Sequence, residues 1–274
     1  MNTRYLEVQG EKIAYEDSGS GPLVILVPGM GSMRAEYRIL APQLTSAGYR
    51  AISMDLRGEG ESSTSWTDFS VSAIGSDVLA LIRSLDAGPA MVVGASYGAG
   101  AAVSAAAEAP DLVRGLVLIG PVVRGEGSWL SKLFYSGLLR RPWGPGMWLR
   151  YIPKLYPTRK PADFAQYCAA LKANLEEPGR MEAFQGMINA SNPGSEERLA
   201  RVKAPTLVVM GSKDPDFKDP RAEAEWVAKH LNGRYEIVEG AGHYPHIEMP
   251  EVTGPLVLSF LQAMMEVKEA ANVA

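Results

Sequence analysis

Short apolar runs recur along the chain, and stretches whose apolar residues have helical spacing separate most of them. A continuous apolar run such as Leu-Val-Ile-Leu-Val is typical of a strand that is buried on both faces, as in a parallel sheet. Alternation of such strands with helices predicts an α/β fold, a mostly parallel central sheet flanked by helices on both faces. The predicted buried strands are Leu23–Val27, Arg50–Met54, Ala90–Val93, Leu116–Ile119, Thr206–Met210 and Tyr235–Val238.

The first residues follow a different pattern. Polar and apolar residues alternate over Arg4–Val8 and Lys12–Glu16, and Gln9-Gly10 lies between them. This pattern predicts an antiparallel hairpin at the edge of the sheet. The predicted helices run from a cap at Ser32 to about Ala47, over Phe69–Leu85, from Ser96 to Pro110, over Pro220–Leu231, and from Pro250 to about Val267 with a frayed tail.

The alternation of strands and helices is interrupted over residues 121–202. This segment contains no strand-like run, and its short amphipathic pieces are broken by prolines. The pattern predicts a helical insertion between residues 1–120 and residues 203–274, which together supply the sheet and its covering helices.

A possible nucleophile occupies a sharp turn in the middle of the chain. Gly94-Ala95-Ser96-Tyr97-Gly98 follows an apolar strand and opens a helix of small residues. Glycines two residues either side of Ser96 allow the close backbone approach that such a turn requires. A helix N-terminus also favours negative charge that develops on the Ser96 hydroxyl. By itself the pattern fits an ordinary turn equally well, so the remaining site residues decide its meaning.

A general base for Ser96 is expected after the last predicted strand. His243 lies there in the glycine-rich loop Gly240-Ala241-Gly242-His243, within reach of Ser96. His246 is the alternative base, although its position favours the mouth of a pocket or the surface.

The acid that would orient the base is expected in the loop Gly211–Asp216. Asp214 is preferred and Asp216 is the alternative, while the stretch after Ile119 offers no carboxylate. The oxyanion donors are expected to be the backbone N–H groups of Tyr97 and Met30.

These motifs together resemble those of the α/β-hydrolase superfamily, in the order nucleophile, acid, histidine. The resemblance implies the α/β-hydrolase fold, with residues 1–120 and 203–274 as its core and residues 121–202 as a variable helical cap. Many members have His-Gly where this chain has Pro28-Gly29. The backbone donor at Met30 should survive this difference, although proline offers neither an N–H nor a polar side chain to support the oxyanion turn. The segments that carry the resemblance are Gly94–Gly98, Asp55–Ser62 as D-x-R-G-x-G-x-S, Gly211–Asp214 and Gly242–Pro245. Asp55 and Arg57 are interpreted as structural.

Composition narrows the class of protein. A net charge of −4 and a pI near 5.6 argue against a nucleic-acid partner. No apolar run is long enough to span a membrane, and a single cysteine fits a cytoplasmic protein. The chain shows neither metal-ligand spacing nor a phosphate-binding glycine motif, so neither a metal nor another cofactor is implied.

The sequence therefore predicts a cofactor-independent serine hydrolase that acts on a small carboxylic ester. Lactone, thioester, amide or carbon–carbon bond hydrolysis, a lyase, a cofactor-free peroxidase and a small-molecule receptor with little turnover remain alternatives. The oligomeric state stays open. The candidate substrate-binding residues are Gly29, Trp129, Trp148, Phe184 and His246.

Overall fold

A computed structural model describes residues 2–124, 137, 139–140, 142–190 and 195–273, and its sheet has eight strands. The strands are β1 (Arg4–Val8), β2 (Glu11–Ser18), β3 (Leu23–Val27), β4 (Arg50–Met54), β5 (Ala90–Ala95), β6 (Val113–Ile119), β7 (Thr206–Gly211) and β8 (Arg234–Val238). The strand order is β1-β2-β4-β3-β5-β6-β7-β8, in which β3 to β8 run parallel while β1 and β2 pair antiparallel at one edge. This is the predicted mostly parallel sheet.

Helices cover both faces of the sheet because successive side chains of the central strands point to opposite sides. The helices are α1 (Leu40–Ser46), α2 (Val71–Leu85), α3 (Tyr97–Glu108), α4 (Gly144–Tyr151), α5 (Phe164–Leu175), α6 (Arg180–Ala190), α7 (Ser195–Leu199), α8 (Pro220–His230), α9 (Pro245–Glu248) and α10 (Pro250–Val273). Ile25 and Val27 of β3 join one core with α2, α3 and α8, whereas Val24 and Leu26 join the other with α1 and α10.

The edge hairpin forms as predicted. Gln9 and Gly10 both have positive φ, 55° and 85°, which is the backbone of a two-residue hairpin turn. The second strand continues to Ser18 and pairs antiparallel with β4, so the hairpin is joined to the parallel strands.

Two predicted helix ends are wrong. Ser32 does not begin a helix, because its hydroxyl shares a 2.7 Å hydrogen bond with the Tyr167 hydroxyl. A 3₁₀ turn at Arg34–Tyr37 comes next, and α1 begins only at Leu40. At the other end, the backbone of α10 stays helical to Val273, consistent with the lysine, glutamate and alanine residues of that stretch.

The described part of residues 121–202 contains α4 to α7 and a 3₁₀ turn at Ile152–Leu155. Trp148 of α4 donates from Nε1 to the carbonyl oxygen of Gly31 at 2.7 Å. This contact brings α4 over the turn that follows β3, at the carboxyl ends of the strands. The division of the chain into a core and a cap stays a prediction.

Candidate active site

Ser96 lies on a strained turn between β5 and α3. Its φ of 52° and ψ of −118° are rare for a residue with a side chain and cost about 1–3 kcal/mol. A Cβ on Gly94 would lie 2.5 Å from the carbonyl oxygen of Gly98, and a Cβ on Gly98 would collide with the carbonyl oxygen of Pro28. The close approach predicted for both glycines is therefore present. Ser96 keeps 7% of its surface exposed.

His243 has a carboxylate on each side of its ring. Asp214 Oδ2 lies 2.7 Å from Nδ1, and Asp216 Oδ2 lies 3.5 Å from Nε2. The loop fixes this arrangement through a 2.9 Å hydrogen bond from the Asp216 N–H to Asp214 Oδ1. Of these two carboxylates, Asp214 is the one that contacts the nitrogen that an orienting acid must bind.

Neighbouring strand ends bring the histidine and serine loops together. The Ser96 N–H donates to the carbonyl oxygen of Ile119 at 2.9 Å, and Gly120 follows directly. A Cβ on Gly120 would lie 3.1 Å from His243 Nδ1. His243 Nε2 is buried and has no hydrogen-bond partner among the described residues, so this nitrogen can accept a proton once the ring is neutral.

The charge state of His243 depends on both carboxylates. Burial alone lowers its pKa, but Asp214 and Asp216 oppose this effect and raise the pKa to about 9. His243 therefore carries a proton at neutral pH in this arrangement, and an imidazolium cannot accept a proton from serine.

The same three residues are the group that could hold a metal in the described part of the chain. One ligand atom from each of Asp214, Asp216 and His243 lies within 4.8 Å of the others. Because Asp214 contacts Nδ1, a cation bound to His243 Nε2 would have Asp216 as its only other ligand from this group. Two protein ligands are fewer than the three or four that a zinc site uses, so this group fits an oriented base better than a metal site.

Two buried carboxyl groups hold the turn of residues 28–31 that follows β3, called the β3 turn below. The N–H of Gly29 donates to Glu36 Oε2 at 3.1 Å, and the N–H of Gly31 donates to Glu59 Oε1. The described residues offer no acceptor for the intervening N–H of Met30. This leaves the Met30 N–H available to a ligand.

Tyr97 supplies a second N–H for which the described residues offer no acceptor, because it is the first residue of α3. Its side chain points away and donates to the carbonyl oxygen of Phe69 at 2.9 Å. The two expected oxyanion donors thus both remain available.

Sequence reasoning missed Glu36 and Glu59. Proline at position 28 has no N–H and no polar side chain, and these carboxyl groups give the turn its support instead. Burial raises the pKa of Glu59 well above its usual range, and Asp55 and Glu36 raise it further. Glu59 could have been suspected from its place between Gly58 and Gly60 in the D-x-R-G-x-G-x-S stretch.

A model of the alpha/beta hydrolase family matches residues 24–254. This chain belongs to that family. The 2-(acetamidomethylene)succinate hydrolase of Mesorhizobium japonicum is 26% identical over 275 residues, 95% of each chain. A malate-bound thermophilic esterase from Thermogutta terrifontis has 25% identity and a TM-score of 0.81, with 96% of this chain and 99% of that chain covered. The enol-lactonase of Burkholderia xenovorans LB400 shares the fold at 21% identity and a TM-score of 0.80, with 94% and 100% covered.

Three of the candidate substrate-binding residues of this α/β hydrolase lie at or near the β3 turn. A Cβ on Gly29 would lie 3.1 Å from Ser96 Cβ, and Trp148 covers Gly31. Phe184 is fully buried and meets the Trp148 ring edge-on at 4.9 Å between centroids. Trp129 lies outside the described residues.

His246 of the α/β hydrolase is buried, so the expectation of a surface or pocket-mouth residue is wrong. Its ring stacks on Tyr37 at 5.2 Å, and Nε2 lies 3.5 Å from Glu36 Oε1. Helix α9 turns His246 inward, toward the carboxyl group that supports Gly29.

Asp55 and Arg57 have structural roles, as predicted. Asp55 accepts from the N–H of Arg34 at 2.6 Å and from the N–H of Glu61 at 2.9 Å. Arg57 donates to both oxygens of Asp77 at 2.8 and 2.6 Å. In the described part of this α/β hydrolase, no helix is both long and apolar enough to cross a membrane.

Proposed function

We propose that this protein is a cofactor-independent serine hydrolase that cleaves a small, hydrophobic carboxylic ester through an acyl-enzyme. The observation that carries the proposal is the buried 2.7 Å contact between His243 Nδ1 and Asp214, in a fold that holds Ser96 on a strained turn nearby. A serine with an oriented imidazole base is the chemistry of acyl transfer.

In the proposed reaction, Ser96 Oγ attacks the ester carbonyl carbon while His243 Nε2 takes the hydroxyl proton. The N–H groups of Met30 and Tyr97 stabilise the negative charge on the former carbonyl oxygen. The imidazolium then gives its proton to the leaving alcohol, and the acyl group stays on Ser96. A water molecule that His243 deprotonates attacks this acyl group and releases the acid.

The preference for a neutral, hydrophobic ester rests on the side chains around the β3 turn. Trp148 and Phe184 are apolar, and Met30 packs between both hydrophobic cores. The names of the relatives, a hydrolase and an esterase, agree with hydrolysis but do not define the acyl group.

The test is Ser96→Ala together with labelling by a serine-directed phosphonate. We expect the variant to lose ester turnover and labelling while it keeps the unfolding temperature of the parent. Ser104→Ala is the matched control, because Ser104 is a buried serine on α3 that has no proposed role. Full ester activity in Ser96→Ala would contradict the assignment.

A substrate panel separates the alternatives. Lactones, thioesters and amides are assayed beside esters of equal size, and the best substrate defines the bond type. Tight binding of a small ligand without turnover of any compound would favour a receptor.

A further inference from the structure

A hydroxyl group that the proposed reaction does not use lies beside Ser96. Tyr244 follows His243, and its Oη is 2.6 Å from the position that a Cβ on Gly29 would occupy. The same position lies 3.1 Å from Ser96 Cβ. The sum of the two distances, 5.7 Å, is therefore the upper limit on the separation of Tyr244 Oη and Ser96 Cβ.

The Tyr244 ring is fixed by its neighbours. It contacts His243 edge-on with centroids 4.9 Å apart, Tyr156 at 5.9 Å and His246 at 5.8 Å. Only 6% of the residue is exposed. Little conformational entropy remains to be lost when the hydroxyl group binds a ligand.

The Tyr244 hydroxyl has no hydrogen-bond partner among the described residues. Two other tyrosines near the site differ, since the Tyr37 hydroxyl donates to the carbonyl oxygen of Val27 at 2.9 Å and the Tyr167 hydroxyl contacts Ser32. The hydroxyl is therefore free to donate to a ligand oxygen without first breaking a hydrogen bond within the described part of the protein.

The hydroxyl group is a donor throughout the working pH range. Burial raises the pKa of Tyr244 well above its usual value, and the carboxyl group of Glu36 raises it further. Tyr244 therefore stays protonated wherever His243, with a pKa of about 9, begins to act as a base.

We propose that Tyr244 donates a hydrogen bond to the substrate carbonyl oxygen as it becomes an oxyanion, beside the N–H groups of Met30 and Tyr97. The geometry favours this oxygen over the leaving group, because the hydroxyl lies against Gly29, whose carbonyl carbon is bonded to the Met30 nitrogen. The leaving group must instead approach His243 Nε2 to receive its proton. This assignment rests on the proposed function.

A side-chain donor has a physical reason in this turn. Glu36 and Glu59 lie directly behind it, and any negative charge on them opposes an oxyanion. A hydroxyl group on the substrate side offsets that repulsion without disturbing the backbone.

The test is Tyr244→Phe, which removes the hydroxyl group and keeps the ring. We expect kcat for a neutral ester to fall about 100-fold with KM within about twofold, as for loss of one oxyanion donor. The Ki of a trifluoromethyl ketone, which forms a tetrahedral adduct, should rise by the same factor. Binding of the product alcohol should not change. Tyr49→Phe is the control, because Tyr49 is buried beside the amino end of β4.

Unchanged kcat in Tyr244→Phe, or a higher KM with unchanged kcat, would overturn the assignment. If that variant fails to fold, trifluorotyrosine at position 244 preserves the packing and lowers the pKa of the hydroxyl group. Activity should then be lost at the pH where this phenol ionises, and an unaltered pH profile would overturn the assignment. Failure of the serine mechanism is separate, because it would already appear in the parent as absent phosphonate labelling at Ser96.

Discussion

At the residue scale, the two nitrogens of His243 meet different carboxylates. Asp214 and Asp216 both follow β7 in one loop, so their positions in the sequence do not show which nitrogen each of them contacts. The Asp216 side chain also accepts from the Tyr151 hydroxyl of α4, so its place opposite Nε2 depends on a distant helix. The two residues should therefore affect activity differently.

Asp214→Asn should lower kcat by about 10⁴-fold, because the amide cannot hold the required tautomer of His243. Steady-state kinetics on a neutral ester measures the change. The fall in kcat should be much smaller in Asp216→Asn. The reverse ranking would make Asp216 the orienting residue.

Asp216→Asn should also move the pH profile. In the parent, kcat/KM should rise with pH up to about 9, because His243 must lose its proton to act as a base. Asp216 is one of the carboxylates that raise this pKa, so its loss should shift the acid limb to lower pH. The profile is measured between about pH 5 and 10. A limb that stays in place or moves upward would contradict the role of Asp216.

At the element scale, the β3 turn depends on groups from outside it. Glu36 comes from the 3₁₀ turn that follows, and Glu59 comes from the loop after β4. Both accept from backbone N–H groups and leave the Met30 N–H available. The turn is thus supported by neighbouring segments of the fold.

Glu59 provides a test of this support. Burial raises the pKa of Glu59 well above its usual range. Because a carboxamide oxygen can accept the same hydrogen bond from the Gly31 N–H, Glu59→Gln should keep activity and stability close to those of the parent. Glu59→Ala leaves the Gly31 N–H without its partner and should lower stability by about 1–3 kcal/mol, together with kcat. Urea unfolding measures the stability of both variants, and ester kinetics measures their kcat. Equal losses in the two variants would show that the charge is required.

The elements themselves could be predicted because their signals are local. Apolar runs and glycine positions indicate β3, β5 and the turn at Ser96 directly. The start of α1 could not be predicted, since Ser32 bonds to Tyr167 of α5, more than a hundred residues away. The burial of Glu36, Glu59 and His246 was missed for the same reason.

At the scale of the whole molecule, charge is unevenly distributed along the sequence. Residues 121–200 carry 11 Lys and Arg against 7 Asp and Glu, a net charge of +4, which leaves −8 for the remainder. Arg159 of this segment bonds both oxygens of Glu251 at 2.6 and 2.8 Å and the carbonyl oxygen of Glu248 at 2.9 Å. Arg180 likewise contacts Glu177 and Ser62. These arginines connect the segment to its surroundings, which argues against their use in attracting an anion.

The charge of the substrate should therefore have little effect on kcat/KM. We expect kcat/KM to favour neutral short-to-medium acyl chains and to change little between low and high salt, because screening acts only on charged partners. An acyl-length series at two ionic strengths measures this. A strong preference for anionic substrates that fades with salt would contradict the expectation. It would indicate that the basic residues attract the substrate.

The alternation of strands and helices and the sharp turn at Ser96 were determined by the sequence itself, because apolar periodicity and glycine spacing act over a few residues. Tertiary structure decided which carboxylate faces each nitrogen of His243, and it brought Glu36, Glu59 and Tyr244 to the site. These features depend on packing between segments that are far apart along the chain. Burial and pKa follow from that packing, and no local pattern encodes them.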